Sequence, residues 1–222
     1  MPGILTELLI SWLLLWFFCH KHLSVLGFKP TTTRLADLGT GLLLGAACCI
    51  IYHLMATNSW MINRHATVLT IFKGAWWVLK SVLFEELIFR GALLYIAIKK
   101  MGITKACILS AVCFGIYHFF SYNLFGNPVQ MLIVFFMTGI TGLILAFAFA
   151  RTGSLYLPVA LHFGWNYFNI VVFSSGPLGA QLLIRGNGHK LEGIPSLFVF
   201  LFQIFALPLV TYWYLRRYRR AD

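Results

Sequence analysis

The chain has 222 residues, of which 60% are hydrophobic and only 10% are charged. With a mean hydropathy of +0.84 and repeated apolar runs long enough to cross a bilayer, it is not an ordinary soluble domain. Its net charge of +11 does not indicate nucleic-acid binding, because the basic residues cluster between apolar runs, where they set topology and contact anionic lipids. The apolar runs are continuous rather than alternating, so the sequence predicts an all-α, polytopic transmembrane bundle of about seven spans.

The first two predicted spans are separated by a basic loop. Span one covers about residues 4–19 and is short for a membrane helix. Pro30 marks a break in the loop, and span two runs from about residue 37 to residue 56. Gly41 and Gly45 in the segment GLLLG give span two a small face, which lets another helix approach closely.

A long helical region is predicted next, over about residues 66–98, and it is too long for one untilted span. Its first part, TVLTIFKGAWWVLK, is rich in tryptophan and lysine and is expected to lie at the membrane interface. Its second part carries two adjacent glutamates inside an apolar run. Four further spans are predicted at about residues 104–120, 129–150, 155–173 and 196–215, with the longest polar loop at 174–195.

Lysine and arginine are distributed unequally between the two sides of a seven-span bundle. The side that includes the C-terminal tail receives 11 of the 17 basic residues, and the opposite side receives 3. The positive-inside rule therefore predicts an N-terminus outside and a C-terminus in the cytoplasm. We expect residues 1–222 to form a single integral-membrane domain, with its motif-bearing core at about 66–173.

The segment FEELIFRG places Glu85, Glu86 and Arg90 inside an apolar run. Charged groups within a membrane span are costly, so they indicate a functional site. Glu86 and Arg90 are spaced i, i+4, the favourable order for a helical ion pair. Glu85 lies about 100° around the helix from Glu86, so the simplest division has Glu86 paired with Arg90 and Glu85 pointing into a cavity as a general base. The alternative is a buried network of all three that only holds helices together.

Polar side chains of two later spans are expected at the depth of Glu85. At 1.5 Å rise per residue, Glu85 and His118 each lie about 20 Å from the cytoplasmic ends of their helices. By the same rise, His162 is about 12 Å and Asn166 about 18 Å into their shared span, on one helix face. This pair could donate hydrogen bonds to an oxyanion, bind a metal through the histidine, or only join helices. His53, deep in span two, is interpreted as structural.

Three motifs, in order and on separate predicted helices, resemble those of a known family. The segment EELIFR fits EExxxR, FGIYH fits FxxxH and HFGWN fits HxxxN. Over about residues 84–166 the chain therefore resembles the CAAX prenyl protease type 2 and bacteriocin-processing (CPBP, Abi) intramembrane endopeptidases. The resemblance implies a protease-like membrane domain with the functional residues Glu85, Glu86, Arg90, His118, His162 and Asn166.

Two mechanisms are implied by this resemblance. On the favoured one, Glu85 and His118 activate a water molecule, which attacks a peptide carbonyl. His162 and Asn166 then stabilise the oxyanion, and no cofactor is required. On the alternative, Glu85, His118 and His162 ligate Zn²⁺, whose bound water is the nucleophile, although the sequence contains no HExxH motif.

The implied substrate is a peptide or protein, with or without a lipid group, and membrane lipid is the other expected partner. The expected location is a prokaryotic inner membrane; the sequence predicts no oligomeric state. The residues alone leave two other functions open, a non-catalytic immunity or scaffold protein of the same fold and a proton-coupled transporter. The transporter is disfavoured because the motifs are not repeated between the two halves of the chain.

Overall fold

The computed structural model describes residues 2–57, 59–186 and 191–218, and most of these residues are helical. The predicted all-α fold is therefore confirmed. His189, Lys190, Arg219 and Arg220, which the sequence places in the long polar loop and in the tail, lie outside the described residues. The helices are α1 (Pro2–Cys19), α2 (Thr32–Ala56), α3 (Val68–Arg90), α4 (Ala92–Met101), α5 (Ile103–Ser121), α6 (Pro128–Thr152), α7 (Tyr156–Tyr167) and α8 (Gly193–Arg217).

Within the described residues, the helices α2, α5, α6 and α8 are long and apolar enough to cross a membrane. Helix α1 is apolar but shorter, and α7 has only 12 residues. Helix α3 has 23 residues, but it carries five charged side chains, so its composition alone does not identify a span. The helices thus support an integral-membrane protein, and the count of seven spans stays a prediction.

The structure corrects the predicted boundaries at two places. Helix α2 begins before the predicted residue 37, because the Thr31 hydroxyl caps its first turn by accepting a hydrogen bond from the Arg34 backbone nitrogen at 3.3 Å. The long helical region predicted at 66–98 is divided into α3 and α4 at Gly91, where the backbone (φ −79°, ψ −134°) is not helical. A side chain at Gly91 would meet the carbonyl oxygen of Leu87, so the break needs glycine.

A short antiparallel sheet joins two loops for which the sequence predicts only irregular structure. Strand β1 (Trp60–Ile62) pairs with β2 (Leu183–Arg185), and Trp60 lies opposite Arg185. Asn63 strengthens the junction by donating its side-chain amide to the carbonyl oxygen of Gln181 at 2.7 Å. The sheet therefore ties the loop after α2 to the loop before α8.

Helices α2 and α7 pack closely through glycine. A side chain at Gly45 would collide with the carbonyl oxygen of Leu161 and would lie 2.8 Å from the backbone nitrogen of Trp165. Across the same contact, a side chain at Gly164 would lie 2.7 Å from the carbonyl oxygen of Leu42. The predicted small face of span two is thus confirmed, and it holds α7, which carries the segment HFGWN, against α2.

Candidate active site

A cavity of about 550 Å³ lies between α3, α5, α6, α7 and α8. Four of the six predicted site residues line it, each from one of the three motifs: Glu85, His118, His162 and Asn166. Their position around one cavity agrees with the similar depths that the sequence predicts for these residues. The other two predicted residues, Glu86 and Arg90, are not in the lining and lie fully buried behind the wall.

Glu85 presents a largely free carboxylate to the cavity. Its Oε1 accepts a long hydrogen bond of 3.5 Å from the Ser81 hydroxyl, one turn earlier on α3. Its Oε2 is buried and, within the described part of the chain, has no hydrogen-bond partner. One ionisable neighbour of that oxygen, Nε2 of His162, lies 3.8 Å away, which is beyond hydrogen-bonding distance. Glu85 can therefore accept a hydrogen bond or a proton from a molecule in the cavity.

Glu86 is the centre of a buried polar network. Its Oε1 accepts hydrogen bonds from Arg90 Nη1 at 3.1 Å and from His162 Nδ1 at 2.8 Å. Arg90 also donates its Nη2 to the carbonyl oxygen of Gly142 at 3.0 Å, and its guanidinium lies 4.2 Å from the ring centre of Phe114. The predicted ion pair is thus present, and through Glu86 it also fixes the orientation of the His162 ring.

The close approach of Arg90 to α6 depends on Gly142. A side chain at Gly142 would lie 2.8 Å from the Phe114 ring and 3.2 Å from Arg90 Nη2. Because glycine leaves this space open, the guanidinium reaches the backbone of α6 as well as the Glu86 carboxylate. The network therefore joins α3, α6 and α7 at the level of the cavity.

His118 is oriented by its own helix. Its Nδ1 lies 2.8 Å from the carbonyl oxygen of Phe114, one turn earlier on α5. Since a carbonyl oxygen only accepts, Nδ1 carries the hydrogen and Nε2 carries the lone pair of the neutral ring. The ring packs edge-on against Phe114 and Tyr122, with centroid distances of 4.6 and 5.2 Å. His118 thus offers the cavity a nitrogen that accepts hydrogen bonds.

Asn166 lies one turn after His162 on α7 and lines the cavity on the same helix face. Its side-chain amide supplies two hydrogen-bond donors and one acceptor oxygen. Together the four residues give the cavity a carboxylate, two oriented imidazoles and an amide donor. This combination can activate water and bind a developing negative charge.

The three residues of the alternative zinc mechanism share the cavity. Among residues 2–57, 59–186 and 191–218, no group of three or more His, Cys, Asp or Glu side chains is arranged to hold a metal ion.

The cavity has further lining residues outside the predicted set. Aromatic rings form much of the wall, and polar groups come from Ser81, Thr138, Thr141 and Gln203 as well as from Asn169. A sequence signal existed for Asn169, because it follows His162 by seven residues and so returns to the same helix face. Its position also reflects a π-helical turn, Phe168–Val172, which continues α7 and which no sequence pattern predicts.

The remaining described histidines do not line the cavity. His53 is buried on α2 and bonds to Asn169 at 2.9 Å, so the structural interpretation of this residue fits its surroundings. His22 accepts a hydrogen bond from the Trp12 indole at 3.4 Å. His20 and His65 lie in loops.

Comparison with known proteins identifies the segment that carries the motifs. A protein-family model described as Rce1-like, type II CAAX prenyl endopeptidase Rce1-like, matches residues 67–168. This segment runs from the N-cap of α3 into the π-helical turn and includes all six motif residues. No curated protein sequence and no solved structure matches the chain.

Proposed function

We propose that this chain hydrolyses peptide bonds within the membrane, because residues 67–168 match the family model of the Rce1-like type II CAAX prenyl endopeptidases. The observation that supports the proposal is the meeting of Glu85, His118 and His162 at one cavity. They come from three different helices, so a purely local role for each does not explain why they share it. The match to an endopeptidase family agrees with the resemblance of the three motifs.

In the proposed mechanism, Glu85 is the general base. A water molecule between Glu85 and His118 donates one hydrogen to the Glu85 Oε2 and the other to the lone pair of His118 Nε2. As the water oxygen attacks the peptide carbonyl, its proton moves to Glu85 and a tetrahedral oxyanion forms. Glu85 then gives this proton to the leaving nitrogen as the C–N bond breaks, so protons and charge balance over the cycle.

His162 and Asn166 are proposed to stabilise the oxyanion. Asn166 donates an amide hydrogen, and His162 donates from Nε2. Since His162 already donates its Nδ1 hydrogen to Glu86, this role requires an imidazolium, with hydrogens on both nitrogens. Glu86 and Arg90 are positioning residues, because they act on the reaction only through His162 and the helix packing.

The zinc alternative makes the opposite demand on the same ring. A metal ligand at His162 Nε2 needs a lone pair there, with the Nδ1 hydrogen still on Glu86, the arrangement typical of carboxylate–histidine–metal sites. Metal analysis of active protein, combined with chelator treatment, separates the two mechanisms. Activity in metal-free protein supports the mechanism proposed here, whereas stoichiometric metal whose removal abolishes activity replaces it with the zinc mechanism.

We propose a peptide or protein substrate that ends in a CAAX-type sequence, as the family name implies. Whether it carries a lipid group is decided by comparing two probes, a farnesylated and an unmodified internally quenched peptide with the same sequence. Faster cleavage of the farnesylated probe supports a lipidated substrate. Equal cleavage of both probes supports recognition of the peptide alone.

The test of the function is Glu85→Gln in purified protein, which removes the general base while it preserves the size of the side chain. We expect loss of at least about 1000-fold in the cleavage rate, because Glu85 both activates the water and protonates the leaving group. The matched control is Glu192→Gln, since Glu192 is exposed before α8 and does not line the cavity. A fully active Glu85→Gln protein contradicts the mechanism, and a folded wild-type protein that cleaves no peptide favours a non-catalytic scaffold.

A further inference from the structure

Asn169 lines the cavity but belongs to none of the three motifs. Its Nδ2 donates to the carbonyl oxygen of Ser175 at 2.9 Å, and since a carbonyl oxygen only accepts, this bond fixes which way the amide faces. Its Oδ1 consequently faces Nε2 of His53, at 2.9 Å. These two bonds use only one of the two Nδ2 hydrogens.

His53 holds the Asn169 amide from α2. The Asn169 Oδ1 is an acceptor, so His53 Nε2 carries the hydrogen and the ring has a defined tautomer. The ring is 2% exposed, stacks on Phe173 at a centroid distance of 4.3 Å and meets Trp60 edge-on at 5.5 Å. Within the described residues, His53 Nδ1 has no hydrogen-bond partner. The ring is therefore fixed by aromatic packing, and its one hydrogen bond goes to Asn169.

The position of Asn169 relates it to the proposed reaction centre. It lies in the π-helical turn Phe168–Val172, a geometry frequent at functional sites. It follows His162 by seven residues, which is about 10 Å along the helix axis. An extended peptide covers this distance in about three residues.

We propose that Asn169 is a substrate-binding residue and that His53 is its positioning residue. The unused Nδ2 hydrogen of Asn169 binds a backbone carbonyl oxygen of an extended peptide, about three residues from the scissile bond. This inference rests on the proposed function and adds a backbone contact to it. A purely structural role, in which the pair only fixes the π-helical turn, makes different predictions.

Binding is measured with the cleavage-deficient Glu85→Gln protein and the unmodified fluorescent CAAX-type peptide as the probe. Adding Asn169→Ala removes one neutral hydrogen bond to the peptide, so we expect binding weaker by about threefold to tenfold. Adding His53→Phe weakens binding in the same direction. The two changes together are expected to weaken it no more than Asn169→Ala alone, because His53 acts only through Asn169.

A modified probe separates substrate binding from a structural role. In two further peptides, the carbonyl three residues before or after the scissile bond is replaced by a methylene group. One of these peptides is expected to bind the protein that retains Asn169 as weakly as the parent peptide binds the Asn169→Ala protein. Its affinity is then expected to fall no further when Asn169 is replaced. If Asn169→Ala weakens both modified peptides as much as the parent, the pair is structural and the inference is overturned.

The matched control is Asn63→Ala. Asn63 makes comparable hydrogen bonds, including one to the Gln181 carbonyl at 2.7 Å and one from the His65 backbone nitrogen at 3.1 Å, and it does not line the cavity. Unchanged binding in this variant shows that a lost loop contact alone is not sufficient. Wild-type protein that binds the peptide but never cleaves it overturns the proposed function. Where the wild-type protein does cleave the peptide, unchanged binding after Asn169→Ala is added to the Glu85→Gln protein overturns only the inference.

Discussion

Replacing Arg90 by methionine tests the buried network through stability rather than activity. Arg90 and Glu86 are both fully buried, so Arg90→Met leaves the Glu86 carboxylate without its cation, a loss of about 3–5 kcal/mol. In the double variant Glu86→Gln/Arg90→Met no charge is left unpaired, and the glutamine oxygen can still accept the His162 Nδ1 hydrogen. The main remaining loss is the donor to the Gly142 carbonyl, about 1 kcal/mol. We therefore expect the double variant to be about 2–4 kcal/mol more stable than the single one.

Thermal unfolding of the purified protein in detergent measures this difference. For a chain of this length, 1 kcal/mol corresponds to about 2–4 °C in Tm, so the Tm of the double variant should exceed that of Arg90→Met by at least about 4 °C. Arg151→Met is the matched control, because Arg151 is exposed at the end of α6, and its Tm should stay near the wild-type value. A double variant that unfolds below Arg90→Met would refute the inference that Glu86 is a buried charge compensated by Arg90.

Two further predictions concern packing and topology. Gly45→Val should lower Tm by at least about 2 °C, because an added side chain meets the backbone of Leu161 and Trp165 and overpacking costs about 1–3 kcal/mol or more. Gly39→Val on the same helix, where nothing lies within 4 Å, should change Tm far less. The excess of basic residues on one side predicts a cytoplasmic C-terminus. A reporter fused to the C-terminus that is active only outside the cytoplasm should therefore be inactive. An active reporter would contradict the assignment.

The spacing of the motif residues predicted which side chains share a helix face, but not the contacts between helices. The i, i+4 pairs Glu86–Arg90 and His162–Asn166 lie on single helices, where the helical repeat alone decides which side chains share a face. The bond between Glu86 and His162 joins two helices that are 76 residues apart. Such contacts depend on helix packing, which periodicity does not contain, so the sequence could place both residues at one depth without predicting their bond.

The features that the sequence missed have identifiable physical causes. The break at Gly91 lies in a region that the sequence predicts as one continuous helix, since a single glycine in a membrane helix is common and does not by itself end it. The strands β1 and β2 are three residues each and 123 positions apart at Trp60 and Leu183, too short and too distant for an alternating pattern to indicate pairing. The π-helical turn, which contains Asn169, has no sequence pattern of its own.

The two site histidines are oriented in the same way but are suited to different tasks. In each ring Nδ1 is hydrogen-bonded and Nε2 is available. His118 donates to a neutral backbone carbonyl of its own helix, whereas His162 donates to the carboxylate of Glu86 on a different helix. A carboxylate compensates a positive charge on the ring that donates to it, and a backbone carbonyl does so much less. If either imidazole carries a proton on both nitrogens during the reaction, it is therefore His162, as its role at the oxyanion requires. His118 is correspondingly the ring whose lone pair orients the water, so exchanging the two tasks would place a cation on the ring without a carboxylate partner.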